Sequence, residues 1–274
     1  MGLNSPAEIA KNYVVIGKNK VHIPACKMFL LAVMAGAFIA FGGVGSSTAV
    51  IGLEPASLGK ALSGCIFPGG LTLVLLAGSE LFTGNCLLSI PLLEKEITLK
   101  EMLRSWVIVY LGNMVGGTLV SAGLAYSGQF DMFNGAMAVS VFNTAISKCS
   151  LTFGDAFIKG IFCNVLVCLA VWISFAAKEP AGKVISLFFP IWIFVICGFE
   201  HCVANMYYIT AGLFAKTVPS YVAAAEAAGL DLSAITLKNF FVTNLVPVTL
   251  GNIVGGSICV GLVYWFIYLR KENK

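Results

Sequence analysis

Two polar clusters interrupt apolar sequence, and their side chains suit proton and anion chemistry. Residues 78–85 read G-S-E-L-F-T-G-N, and residues 198–205 read G-F-E-H-C-V-A-N. Gly, Glu and Asn recur at the same offsets, as Gly78 and Gly198, Glu80 and Glu200, Asn85 and Asn205. His201 is one of two histidines, and an imidazole can donate or accept a proton near neutral pH. Thr83 occupies the break of the first cluster, as His201 does in the second, and offers a hydroxyl. The plain alternatives are a core histidine bonded to Glu200 or backbone, and a threonine helix cap. Apolar surroundings favour function for His201, because polar groups inside a hydrocarbon layer are costly and mark binding or permeation sites. Glu80 and Glu200 are read as buried acids paired with His201 or a backbone amide. They support the breaks, since a carboxylate facing a passage repels anions. Asn85 and Asn205 are expected to satisfy free backbone groups there. His22, in a basic segment, is read as solvated.

The elements that hold these clusters follow from composition. The chain has 274 residues, 58% hydrophobic and 11% charged, with a mean hydropathy of +0.91. A soluble domain of this size needs more charge to cover its surface. The sequence therefore describes an all-α polytopic membrane protein. A net charge of +4 without a basic tract gives no reason to expect nucleic acid as a partner. The nine cysteines form no C-x-x-C, and Cys65, Cys163, Cys168, Cys197 and Cys259 sit in apolar runs, as small hydrophobes do. The first 25 residues lack the apolar core of a signal peptide.

Six apolar regions emerge, at 28–52, 60–93, 105–127, 155–177, 184–217 and 240–268. The second and fifth are too long: about 34 residues of straight helix reach ~51 Å, against ~30 Å of hydrocarbon. Each contains one polar cluster, so each is expected to enter as a helix, break, and resume as a half-helix. A second duplicated motif, L-G-N-M-V-G-G at 111–117 and L-G-N-I-V-G-G at 250–256, follows each cluster. The unit contains three spans, so its second copy, 155–268, must sit inverted relative to the first, 28–127, in an aquaporin-like arrangement. Helices 2 and 5 are then the broken ones.

Placing both termini in the cytoplasm puts twelve of the seventeen Lys and Arg on the inner side, as the positive-inside bias requires. The expected division is a cytoplasmic amphipathic segment at 1–27, a channel domain at 28–270 and a cytoplasmic tail at 271–274. Ser5-Pro6-Ala7-Glu8 has the form of a capping box, and Ile9, Tyr13 and Ile16 share a face, so a short helix is expected at the inner surface. Residues 137–147 are too short to span. They are read as dipping back into the outer mouth and carrying Lys148 with them.

Broken helices present electropositive N-terminal ends. Two such ends with His201, Thr83 and Lys148 form an anion site, whereas a cation path needs carboxylates or carbonyls. Water channels share the inverted three-span halves, and a water or neutral-solute channel is the alternative reading. Such channels carry Asn-Pro-Ala at both tips, and that triplet does not occur here. An intramembrane metalloenzyme is disfavoured, because there is no H-E-x-x-H and no second intramembrane histidine. Neither a metal nor a cofactor is called for.

Several long motifs resemble signatures of the formate–nitrite transporter family: L-F-T at 81–83, C-N-V-L-V-C-L-A-V-W at 163–172, G-F-E-H-C-V-A-N-M at 198–206 and N-L-V-P-V-T-L-G-N-I-V-G-G at 244–256. The resemblance runs over essentially the whole chain and is greatest to the hydrosulfide-channel branch. It implies a homopentamer in the cell membrane, with one passage per subunit, and monovalent weak-acid anions (formate, nitrite, hydrosulfide) as substrates. By the same resemblance the central histidine is His201, its partner threonine Thr83, the outer lysine Lys148 and a further asparagine Asn164. An outer apolar slit falls on Phe67, Val167 and Phe194, and an inner one on Leu71 and Phe82. Read without the resemblance, those five are ordinary helix packing. Gly84-Asn85 and Cys202 depart from the residues common in formate members. The mechanism implied is that His201 protonates or stabilises an anion between the two slits.

Overall fold

The computed structural model describes residues 2–271, so most of the expected tail, including Lys274, lies outside the described residues. Helices follow one another as α1 (Pro6–Val21), α2 (Ala25–Thr48), α3 (Ala56–Gly78), α4 (Phe82–Leu93) and α5 (Leu99–Tyr126). The chain continues through α6 (Ala136–Cys149), α7 (Phe153–Ser174), α8 (Pro180–Ile196), α9 (Cys202–Ala215), α10 (Pro219–Ala227) and α11 (Asn239–Tyr268). No strand occurs among the described residues. α2, α3, α5, α7 and α11 are long and apolar enough to cross a membrane. The second and fifth crossings are interrupted, as α3 with α4 and α8 with α9. Large apolar side chains such as Leu111, Leu119, Phe162 and Ile185 point outward, where a membrane protein meets lipid or other subunits.

Local signals set the helix starts. The Ser5 side chain accepts the Glu8 N–H while the Glu8 carboxylate accepts the Ser5 N–H, closing the capping box of α1. The Ser5 N–H holds Glu8 below the usual carboxylate range. Thr98 and Glu101 repeat the device on α5, and Thr152 caps α7. α3 and α8 begin four residues earlier than the apolar runs at 60 and 184, because Pro55 and Pro180 start the turns and Lys60 and Lys183 sit inside them.

The duplicated L-G-N-x-V-G-G motif proves to be a packing surface. Gly112 and Gly116 of α5 lie against the backbone of α2, and a Cβ at Gly116 overlaps the Val33 carbonyl. In the second unit, Gly251 and Gly255 of α11 lie against α7, and a Cβ at Gly255 overlaps the Ile161 carbonyl. The four-residue spacing of small residues lets each helix pair approach closely.

The duplication extends beyond the boundaries read from the sequence. Each unit opens with a short helix, α1 or α6, that carries a lysine in its last turn, Lys20 or Lys148. Segment 137–147, expected as a dipping connection, is the core of α6. Its Met137, Phe142 and Ala145 are buried with Tyr207 and Ala211 of α9. α1 packs against the end of α11, so these two helix segments share one face of the molecule, here the terminal face.

Candidate functional site

The breaks are the same structure twice. α3 ends at Gly78 with φ +82° and α8 is followed by Gly198 with φ +67°, a left-handed conformation that costs glycine least. Extended backbone then leads to Phe82 and to Cys202, where the second halves start. The Glu80 N–H donates to the Leu31 carbonyl and the Glu200 N–H to the Lys159 carbonyl, both at 3.3 Å.

Backbone groups freed by the breaks are taken up by Asn113 and Asn252, from the duplicated L-G-N motif. Asn113 Oδ1 accepts the Phe82 N–H at 2.9 Å, and its Nδ2 donates to the Ala32 and Glu80 carbonyls. Asn252 Oδ1 accepts the Cys202 N–H at 3.0 Å, and its Nδ2 donates to the Gly160 and Glu200 carbonyls. Asn85 and Asn205, expected in that role, serve the acids instead. Asn85 Nδ2 donates to Glu80 at 2.8 Å and Asn205 Nδ2 to Glu200 at 2.7 Å. Each stands five residues past its glutamate, a turn into the half-helix, where its amide reaches back to the carboxylate.

The acids themselves pair with lysines and not with His201. Lys20 Nζ lies 2.8 Å from Glu80, and Lys148 Nζ lies 2.6 Å from Glu200. Both carboxylates are more than nine-tenths buried. Such a charge is tolerable only when paired and hydrogen-bonded, which lysine and asparagine together achieve. Lys148, read from the sequence as the outer lysine of an anion site, is therefore paired with Glu200. Asn244 donates to the Lys148 carbonyl at 3.0 Å and accepts from Asn205 at 2.8 Å, fixing the end of α6 to the second break.

His201 caps α9. Its Nδ1 accepts the Ala204 N–H at 3.0 Å, which places the proton of the neutral ring on Nε2. Nε2 lies 2.9 Å from Thr83 Oγ1, so the two breaks touch through these side chains. Both residues are buried, and Phe194 stacks on the imidazole with ring centroids 6.1 Å apart. Asn164, expected to face an anion, has its amide committed to backbone. It donates to the Asn252 carbonyl at 2.6 Å and the Thr83 carbonyl at 3.2 Å. Asn164 thus holds the first break to α11.

Two cavities approach the breaks: one reaches His201, and the other reaches Leu81 and Gly84 of the first break without meeting Thr83 or His201. The larger, about 360 Å³, lies away from the terminal face, with Phe67, Phe194 and His201 in its lining. The Phe67 and Phe194 rings meet edge to face at 5.5 Å. Lys60, Lys148, Thr144 and Tyr208 also line it. Val167 is buried in the same core as the two phenylalanines. The smaller, about 40 Å³, lies at the terminal face and is lined by Tyr13, Lys20, Leu71, Leu81, Val171 and Phe175 among others. Leu71 lines this cavity. Phe82 differs: its ring packs edge-on against Trp106 at 5.9 Å and Tyr110 at 4.9 Å, and its neighbour Leu81 meets the cavity. Leu81 is extended and Phe82 opens α4, so the two side chains leave the backbone in different directions, one toward the cavity and the other toward α5.

Lys20, Tyr13, Leu81, Asn113 and Asn252 were not singled out as site residues. The repeated L-G-N motif already pointed to the asparagines. Nothing local marks Lys20 or Tyr13, whose partners Glu80 and Gly84 lie 60 and 71 residues away.

A family model described as Formate/nitrite transporter matches residues 7–266. A probable formate transporter of Methanothermobacter thermautotrophicus is 38% identical, over 97% of this chain and 98% of its own. The formate channel FocA of Escherichia coli strain K12 is 37% identical, over 98% of this chain and 95% of its own. Among solved structures, a pentameric formate channel with formate bound superposes with a TM-score of 0.80 at 37% identity, covering 90% of this chain and 98% of that one. An FNT family ion channel superposes with a TM-score of 0.83 at 27% identity, covering 95% and 98%.

Proposed function

The chain belongs to the formate/nitrite transporter family of membrane-embedded anion transporters, and we propose that it passes formate across the cytoplasmic membrane by way of the Thr83–His201 contact. The observation that carries this reading is that contact itself, a buried hydroxyl and imidazole whose His201 lines the larger cavity, while the smaller cavity ends at Leu81 and Gly84 of the first break. Formate is put first because the relatives described above are named for it. Hydrosulfide and nitrite, also monovalent weak-acid anions, are the competitors.

A formate ion leaving water loses its hydration, and the site must replace it. His201 Nε2–H donates to Thr83 Oγ1, and both that N–H and the Thr83 hydroxyl can turn to a carboxylate, offering two donors. The half-helix ends add partial positive charge. A cationic ring would point an Nδ1–H at the Ala204 N–H, so proton delivery from it must first open the α9 cap. The cap thus supports stabilisation by a neutral His201 over transfer of a proton. Phe67, Val167 and Phe194 form the outer slit of this reading, and Leu71 with Leu81 the inner one, backed by Phe82. Asn164, Glu80, Asn85, Glu200 and Asn205 keep the breaks in register, and Lys148 anchors α6.

The Lys and Arg balance supports cytoplasmic termini, which makes the terminal face the inner one. Residues 1–27 then form a cytoplasmic segment before the channel domain at 28–270. The pentameric relative supports a ring of five chains, to be read as five times 29.0 kDa by native mass spectrometry. Purified protein in liposomes, offered formate, nitrite, hydrosulfide and chloride at two pH values, tests the cargo. Formate should pass at least about tenfold faster than chloride, a discrimination of ~1.4 kcal/mol. Equal chloride and formate rates, or no formate flux above protein-free liposomes, overturn the reading.

A further inference from the structure

The Lys148–Glu200 pair leaves the outer cavity without its expected attracting charge. The two side chains are only 18% and 4% exposed, and their charges cancel at 2.6 Å. Lys60, in the first turns of α3, is placed differently. It is exposed, it lines the 360 Å³ cavity, and it lines the adjoining hollow on the same face. Among the described residues no carboxylate comes within salt-bridge distance of it. Lys159 and Glu54 complete the charges of the adjoining hollow, so with the pair cancelled its rim is net positive.

We propose that Lys60 is the cation that captures small monovalent anions at the outer mouth and hands them to the passage. The proposal rests on the anion-transport reading above and adds a residue to it. Beside Lys60 and His201, the hydroxyl-bearing residues Ser47, Ser63, Thr144 and Tyr208 line the same cavity. These groups replace water one at a time as the anion descends, which keeps a captured ion from stalling at the lysine. Capture of this kind is a matter of encounter rate. It depends on ionic strength because an exposed charge is screened within ~10 Å at 0.1 M salt.

The test is initial formate influx into liposomes at sub-saturating external formate, with wild-type, Lys60→Gln, Lys60→Glu and Lys60→Arg proteins compared at low and high salt. Lys60→Gln should lower influx about threefold at low salt and match wild type near 0.5 M, where the Debye length is only a few Å. Lys60→Glu should fall further, and Lys60→Arg should behave as wild type. Unchanged influx and salt response in Lys60→Gln overturn the proposal, as does a deficit that is equal at both salt concentrations. Wild-type protein that conducts no formate sinks the anion reading and this proposal together, whereas conducting wild type with an indifferent Lys60→Gln sinks only this one.

Discussion

At the scale of single residues, each break depends on a buried acid, a lysine and an asparagine. Replacing Glu200 by Gln leaves Lys148 facing a neutral amide at 18% exposure. Loss of one partner from such a pair costs about 3 kcal/mol, whereas removing both charges is far milder. Glu200→Gln should therefore lower the thermal unfolding midpoint in detergent by several degrees, and Glu200→Gln with Lys148→Met should recover most of the loss. A single variant that melts with the wild type would show the pair to be unimportant. The sequence marks Glu80 and Glu200 as residues that need partners, because an unpaired carboxylate is untenable in an apolar run. Their partners were not legible, since the bonds span 60 and 52 residues and no local pattern announces them. The same holds for the Nδ1 cap of His201, which depends on the angle at which α9 starts.

Among the elements, the interrupted crossings were visible from length alone, and Gly78 and Gly198 mark where each first half stops. Where the half-helices begin depends on Asn113 and Asn252, whose repeated motif reads first as a packing surface. Asn252→Ala strands the Cys202 N–H and the Gly160 and Glu200 carbonyls. Each stranded buried group costs ~1–3 kcal/mol. Hydrogen exchange at Cys202 should accelerate by about tenfold or more, corresponding to at least ~1.4 kcal/mol of lost protection. Exchange at the wild-type rate would mean that something else holds the break. The equivalence of α1 and α6 escaped the sequence because they share little beyond a lysine near the end. One reads as an amphipathic surface helix and the other as an apolar one, and only their common contact with a break relates them.

For the whole molecule, an odd number of spans per repeat requires the second unit to run inverted relative to the first. A hydroxyl from one unit and an imidazole from the other meet at 2.9 Å, and the imidazole lines the larger cavity. The cavities are unequal, about 360 and 40 Å³, because α1 lays Tyr13 against the first break while α6 leaves the opposite mouth open. That asymmetry was not legible, since it arises from where a surface helix docks. The central claim is that this buried pair of donors is what a small anion meets midway. Formate flux through His201→Phe protein in liposomes, beside His201→Asn and wild type, addresses it most directly. The phenyl ring offers no donor, and loss of a hydrogen bond to a charged group costs ~1.5–3 kcal/mol, so flux should fall by roughly tenfold to a hundredfold. The asparagine variant, which keeps an N–H, should retain a measurable share. Wild-type formate flux through His201→Phe would contradict the account.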